Sequence, residues 1–127
     1  MGKMILAIVI ALIVAAGCCA ACRLEVDAAA GGALSCIQTA MVFYRDEQPL
    51  QALEAVRQAS EHWQSHEPVL RLLLHHEEID AAANAMDRCV YALLYEDPQV
   101  FFTECLALSR MLRDFMEGER LTVENLL

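Results

Sequence analysis

Apolar residues follow two regimes along the chain. From Met4 to Cys22 there is no charged side chain, and the run MILAIVIALIVAAGCCAAC is apolar or small on every side. Beyond it, apolar positions recur every three or four residues, the period of a helix with one buried face. Leu34, Ile37, Met41 and Tyr44 mark one such face, which ends near Arg45-Asp46. Pro49 opens a second helix at a favoured first-turn position, with Leu50, Leu53, Val56 and Trp63 facing inward. Ile79, Ala82, Met86, Cys89, Val90, Leu93 and Leu94 form the next stripe. Asp97 then caps and Pro98 starts a last helix that carries Phe101, Cys105, Leu108, Leu112 and Phe115 and that Gly118 is expected to end. No segment alternates with period two, so the fold class is all-α.

The uncharged run is just long enough to matter. A helix rising about 1.5 Å per residue needs roughly 20 apolar residues to cross a hydrocarbon layer about 30 Å thick. Residues 1–22 are therefore predicted to be a transmembrane anchor. A cleaved secretory signal, or a lipoprotein site at AAGC with Cys18 lipidated, would also place the chain at a membrane. Gly31-Gly32 predicts a hinge over residues 23–32, and residues 33–127 form the folded domain. Lys3 and the α-amino group precede the run, whereas Arg23 after it is followed by Glu25 and Asp27. The positive-inside rule then favours a cytoplasmic N-terminus and a domain on the outer face. Ala7, Ala11 and Ala15, with Cys19, recur every four residues, a small-residue stripe that lets two spans approach and permits a homodimer.

A repeat organises the domain. EQP, Glu47 to Pro49, and EDP, Glu96 to Pro98, lie 49 residues apart and each joins two helices. The same offset aligns Ile37 with Met86, Met41 with Val90, Leu53 with Phe102 and Val56 with Cys105. Two packed helical hairpins follow, as a tetratricopeptide-like pair or a small bundle, closed because two units are too few for a solenoid. Pro68 is expected to kink or restart a helix, which makes the helix number four or five. The apolar tail Leu121 to Leu127 is expected to dock on the bundle.

Charge narrows the partners. Beyond Arg23 the domain carries 18 acidic and seven basic residues, a net charge of −11. Such a surface repels nucleic acid and anionic headgroups and suits basic segments or cationic proteins. The bilayer is the expected partner of residues 4–22, and no nucleic acid is expected. All four histidines lie between Glu61 and Glu78. His62 and His66, four apart on a helix, share a face and are weak candidates to hold a divalent cation, but no third ligand follows at suitable spacing. His75 and His76 fall where one helix ends and another begins. Cys19 and Cys22 form a CxxC without a second such pair or a βαβ context, and three domain cysteines, Cys36, Cys89 and Cys105, cannot all pair with one another. The alternative reading is a metal- or redox-linked module built on His62, His66 and the cysteines. The serines lack a nucleophile elbow and Gly31-Gly32 lacks the lysine of a phosphate loop, so no catalytic constellation, cofactor or enzyme activity is expected.

Trp63 in the second helix, His76-Glu77-Glu78-Ile79-Asp80 opening the next, and the ending Glu119-Arg-Leu-Thr-Val-Glu-Asn-Leu126 resemble a family of small bacterial proteins grouped as domain of unknown function 4363. The resemblance implies one membrane span followed by an all-helical domain, with no known activity, substrate or cofactor. It implies Gram-positive, often anaerobic bacteria, in which an exported domain can keep free thiols. The chain departs from the family in its alanine and arginine content and in Pro68. The resulting expectation is a single-span interaction or structural module of the bacterial cell envelope. Its expected contact residues are Ala7, Ala11, Ala15, Trp63 and His76.

Overall fold

The helical period is realised as four helices. The computed structural model describes the backbone of residues 1–126 and the side chains of residues 1–117. Helix α1 spans Gly2–Arg45, α2 Pro49–Leu73, α3 His76–Leu94 and α4 Pro98–Leu126, with no strand among the described residues. Around the bundle α1 packs on α2, α2 on α3, α3 on α4 and α4 back on α1. Among the described residues α1 and α3 are not neighbours. In a tetratricopeptide-like stack they would be, so the arrangement is a closed four-helix bundle.

The apolar stripes form one core. Trp63, Phe101, Ile37, Leu70, Ile79, Met86, Leu108 and Leu112 are fully buried. Helix α1 presents mostly small side chains to it: Ala29, Ala30, Ala33 and Ala40 beside Val26 and Ile37. Facing α2 offers Ala52, Ala55 and Ala59. Small facing side chains let two helices approach more closely than the usual 8–10 Å spacing of larger ones. The only buried polar side chain among the described residues, Ser109, donates to the Cys105 carbonyl one turn back at 2.7 Å.

Three expected interruptions are absent. Residues 23–32 are not a hinge: α1 runs unbroken through them, and Gly31 and Gly32 have no positive φ. Two helical glycines cost about 1 kcal/mol each relative to alanine, but Val26, Ala29, Ala30 and Ala33 on both sides are buried in the core and hold the helix. Helix α2 continues through Pro68 to Leu73. Pro68 and Gln64, whose carbonyl it leaves without its helical donor, both lie on the exposed side of α2. Helix α4 likewise passes Gly118. The helix number is therefore four, not five. Leu50 and Leu94, expected inside, are 81 % and 60 % exposed. The side chains of the tail Leu121 to Leu127 lie outside those described.

The repeat is reproduced in the turns bond for bond. Glu47 N–H donates to the Tyr44 carbonyl at 3.2 Å and Gln48 N–H to Phe43 at 2.9 Å; Glu96 N–H donates to Leu93 at 3.2 Å and Asp97 N–H to Ala92 at 3.0 Å. Both are Schellman motifs, and every partner is displaced by the 49-residue offset seen in the sequence. The second turn adds a side-chain cap, the Val100 N–H donating to Asp97 Oδ1 at 3.2 Å. Such motifs place their C′ residue in the left-handed region, where glycine is preferred. Here glutamate occupies it twice, Glu47 at φ 62° and Glu96 at φ 52°.

A non-glycine residue costs about 1–2 kcal/mol in that region, and a glycine loses part of the gain through a more flexible unfolded chain. Glu47→Gly and Glu96→Gly are each expected to raise stability by about 0.5–1 kcal/mol, read from the urea midpoint of the full chain in a lipid nanodisc.

Candidate functional site

The two Schellman turns bring their flanking residues to one end of the bundle, the end distal to the apolar run. Between them lies a cleft of about 1060 Å³. Its walls follow the repeat: Tyr44 faces the place of Leu93, Glu47 of Glu96, Pro49 of Pro98 and Leu53 of Phe102, each pair one repeat apart. The cleft thus sits where a pseudo-twofold axis leaves the bundle. Two aromatic rings line it, Tyr44 and Phe102, 5.6 Å apart between centroids, and Tyr44 packs behind on the buried Phe101 at 4.8 Å. Leu50 and Leu94 line it as exposed apolar walls, and Glu47, Glu96 and Arg45 supply charge. The sequence held a signal for it in the doubled E-x-P turns, but apolar periodicity alone assigned Leu50 and Leu94 to the core.

Because α1 is unbroken, the height of this cleft is fixed. About 22 residues separate Cys22 from Tyr44, which at 1.5 Å per residue is roughly 33 Å. A cleft at that distance does not touch the bilayer in which α1 would be embedded.

The histidine-rich stretch is a helix seam. His62 donates from Nε2 to the Ala28 carbonyl of α1 at 2.9 Å, and His66 from Nδ1 to Glu25 Oε1 at 2.6 Å. The rings meet edge to face at 4.7 Å. Each histidine is therefore engaged with α1 separately, and among the described residues no group of three or more His, Cys, Asp and Glu is placed to hold a metal ion. Gly32 explains how His62 reaches α1: a Cβ there would overlap its ring. Trp63, expected as a contact residue, is fully buried, stacks on Phe115 at 5.9 Å and donates weakly to the Ile79 carbonyl at 3.4 Å. It braces α2 against α3 and α4 and offers nothing to a partner. His76, at the start of α3, is exposed.

All six cysteines are free. Cys89 and Cys105, spread apart in the sequence, meet across α3 and α4 with Cys105 Sγ donating to Cys89 Sγ at 3.7 Å. That hydrogen bond and burial push the Cys105 thiol far above the ordinary cysteine range. A neutral, buried thiol is a poor nucleophile and a poor metal ligand. Cys18 and Cys19 are exposed on the apolar part of α1, as are Ala7, Ala11 and Ala15. By length and composition this part of α1 is a candidate membrane span, and the bundle covers none of it.

A family model described as Domain of unknown function (DUF4363) matches residues 26–126. The chain belongs to this family. The DUF4363 match begins at Val26, the first buried residue of α1, so it follows the bundle and leaves the apolar run outside. Trp63 and Ile79, two of the residues on which the resemblance rested, are core residues of this DUF4363 domain. No curated protein and no solved structure matches the chain.

The seam makes a quantitative prediction. Gly32→Ala gains about 1 kcal/mol of helix propensity but forces the half-buried His62 ring out and forfeits a hydrogen bond worth about 0.5–1.5 kcal/mol. The single substitution is expected to change stability by less than about 0.5 kcal/mol, whereas in a His62→Ala background it stabilises by about 1 kcal/mol. A double-mutant cycle by chemical denaturation checks the coupling.

Proposed function

We propose that this protein is a single-span, membrane-anchored module of the bacterial cell envelope that acts by docking rather than by catalysis. Its helical domain stands on the outer face and holds the distal cleft at a fixed height for a protein partner. The observation that carries this reading is the continuity of α1, one helix from the apolar run to the cleft wall. An anchor coupled rigidly to a docking surface suits a module that fixes where its partner sits.

The chemistry of the partner follows from the cleft. An aromatic and leucine-lined floor takes apolar side chains, and the Glu47 and Glu96 carboxylates on a domain of net charge −11 favour basic neighbours. The occupant is a helical segment of a protein with apolar residues along one face and lysine or arginine beside them. The histidine seam, with each ring bonded to α1, and the inert Cys89–Cys105 pair leave the metal- or redox-linked alternative without a supporting arrangement.

Two experiments test the reading. With a tag after Leu127, protease added to intact spheroplasts is expected to remove the tag; protection until lysis would put the domain in the cytoplasm and overturn the orientation. For the cleft, a short synthetic helix with Leu at every third or fourth position and Lys between is the probe, followed through the ring resonances of Tyr44 and Phe102. Binding is expected to be lost when Ser replaces Leu in the probe, when Glu replaces Lys, and in the Leu94→Asp variant. Equal binding of the Leu and Ser probes, or binding unaffected by Leu94→Asp, would show that only bulk charge is involved and sink the cleft.

A further inference from the structure

The opposite end of the bundle also exposes apolar side chains, and the register of the α1–α2 seam says what they meet. His66 lies level with Glu25 through their 2.6 Å contact, and His62 level with Ala28. The helices run antiparallel, so each residue of α2 beyond His66 descends along α1 toward the apolar run. Leu72 is six residues past His66, about 9 Å down, while Cys22 is three residues before Glu25, about 4.5 Å down, at 1.5 Å per residue. Leu72 therefore sits roughly 4–5 Å below the end of the uncharged run, at a depth where α1 itself would already be in lipid.

The composition of this turn fits that depth. Val69-Leu-Arg-Leu-Leu-Leu74 is the most apolar stretch of α2. Leu70 is fully buried and Leu73 and Leu74 pack against the core, yet Leu72 is 84 % exposed and Val69 points outward beside it. Leu24 of α1, just above the run, is also exposed. By the same register Val69 lies about 4.5 Å and Leu24 about 1.5 Å below the His66–Glu25 contact. The three step down toward the run as a collar among the exposed Arg71, His75, His76 and Glu77. Such a mixture of apolar and charged side chains suits the headgroup–acyl boundary. Arg71, paired with Glu67 at 3.6 Å, has the long stem that lets a guanidinium reach back to headgroups from such a position.

We infer that the α2–α3 junction is a second membrane contact, in which Leu72, Val69 and Leu24 are immersed in the interface of the bilayer that α1 spans. This rests on the reading of α1 as an anchor. The contact would clamp the bundle upright, since a rod held by one helix alone is free to tilt, whereas a collar resting in the interface resists it.

The test uses the full chain in phosphatidylcholine vesicles whose acyl chains carry bromine near the headgroup. Three variants each add one tryptophan to the buried Trp63: Leu72→Trp in the collar, Leu50→Trp in the distal cleft and Leu12→Trp in the span. The expected result is that Leu72→Trp loses most of its added emission to brominated lipid and little to aqueous acrylamide, and that Leu50→Trp does the reverse. If Leu12→Trp is quenched by lipid and Leu72→Trp behaves like Leu50→Trp, the collar is wrong and the anchor stands. If Leu12→Trp is not quenched either, the anchor reading falls and the collar with it.

Discussion

Close approach of α1 to α2 is the constraint on which the rest of the structure depends. Alanine makes up much of the buried surface of both helices, Ala29, Ala30, Ala33 and Ala40 on α1 and Ala52, Ala55 and Ala59 on α2. Gly32 extends the same logic one step, leaving room for a histidine ring to reach the backbone of the neighbouring helix. Alanine buries little apolar area per residue, so apart from Ile37 and Val26 of α1 the larger buried side chains come from the other three helices: Trp63 and Leu70 from α2, Ile79 and Met86 from α3, Phe101, Leu108 and Leu112 from α4. Helix α1 is thus the slender member of the bundle. That is compatible with its second role as the rod that continues toward the membrane.

Much of this was legible in the residues. The four helical stripes, both helix-opening prolines, the Asp97 cap and the 49-residue offset all appear in the structure, because each rests on local chemistry that tertiary packing reinforces. The misreadings share a cause. Gly31-Gly32, Pro68 and Gly118 are ordinary helix breakers, and each stands inside a helix that continues. Local propensity at one or two residues amounts to about 1–3 kcal/mol, while burial of the turns on either side of Gly31-Gly32 acts over many residues at once. A sequence displays the first term plainly and the second only after the neighbours are known.

The candidate chemistry was legible only as far as spacing allows. His62, His66 and Trp63 attracted notice as uncommon side chains at helical spacing. Spacing says that they share a face but not what lies opposite. Opposite them stand the Ala28 carbonyl, Glu25 and Phe115, which absorb their polar and aromatic character into the seam. Conversely Leu50 and Leu94 looked like ordinary core residues because the period placed them there, and only the path of the two turns leaves them uncovered. Residues that seemed functional hold the fold, and residues that seemed structural line the open cleft.

The retained strain at Glu47 and Glu96 bears on which end of the molecule acts on a partner. Glycine would satisfy both Schellman motifs at lower cost, and a single exception would carry little meaning. The pair occupies equivalent positions one repeat apart, both on the rim of the same cleft. A carboxylate that disfavours its own backbone conformation contributes nothing to the turn, so its contribution is to the surface it charges. At the other end Leu72 and Val69 are exposed beside the uncharged run, together with Arg71, His75, His76 and Glu77. The two ends of the bundle therefore differ in chemistry, an apolar run leaving one and a cleft rimmed by two carboxylates opening at the other, and the unbroken α1 joins them.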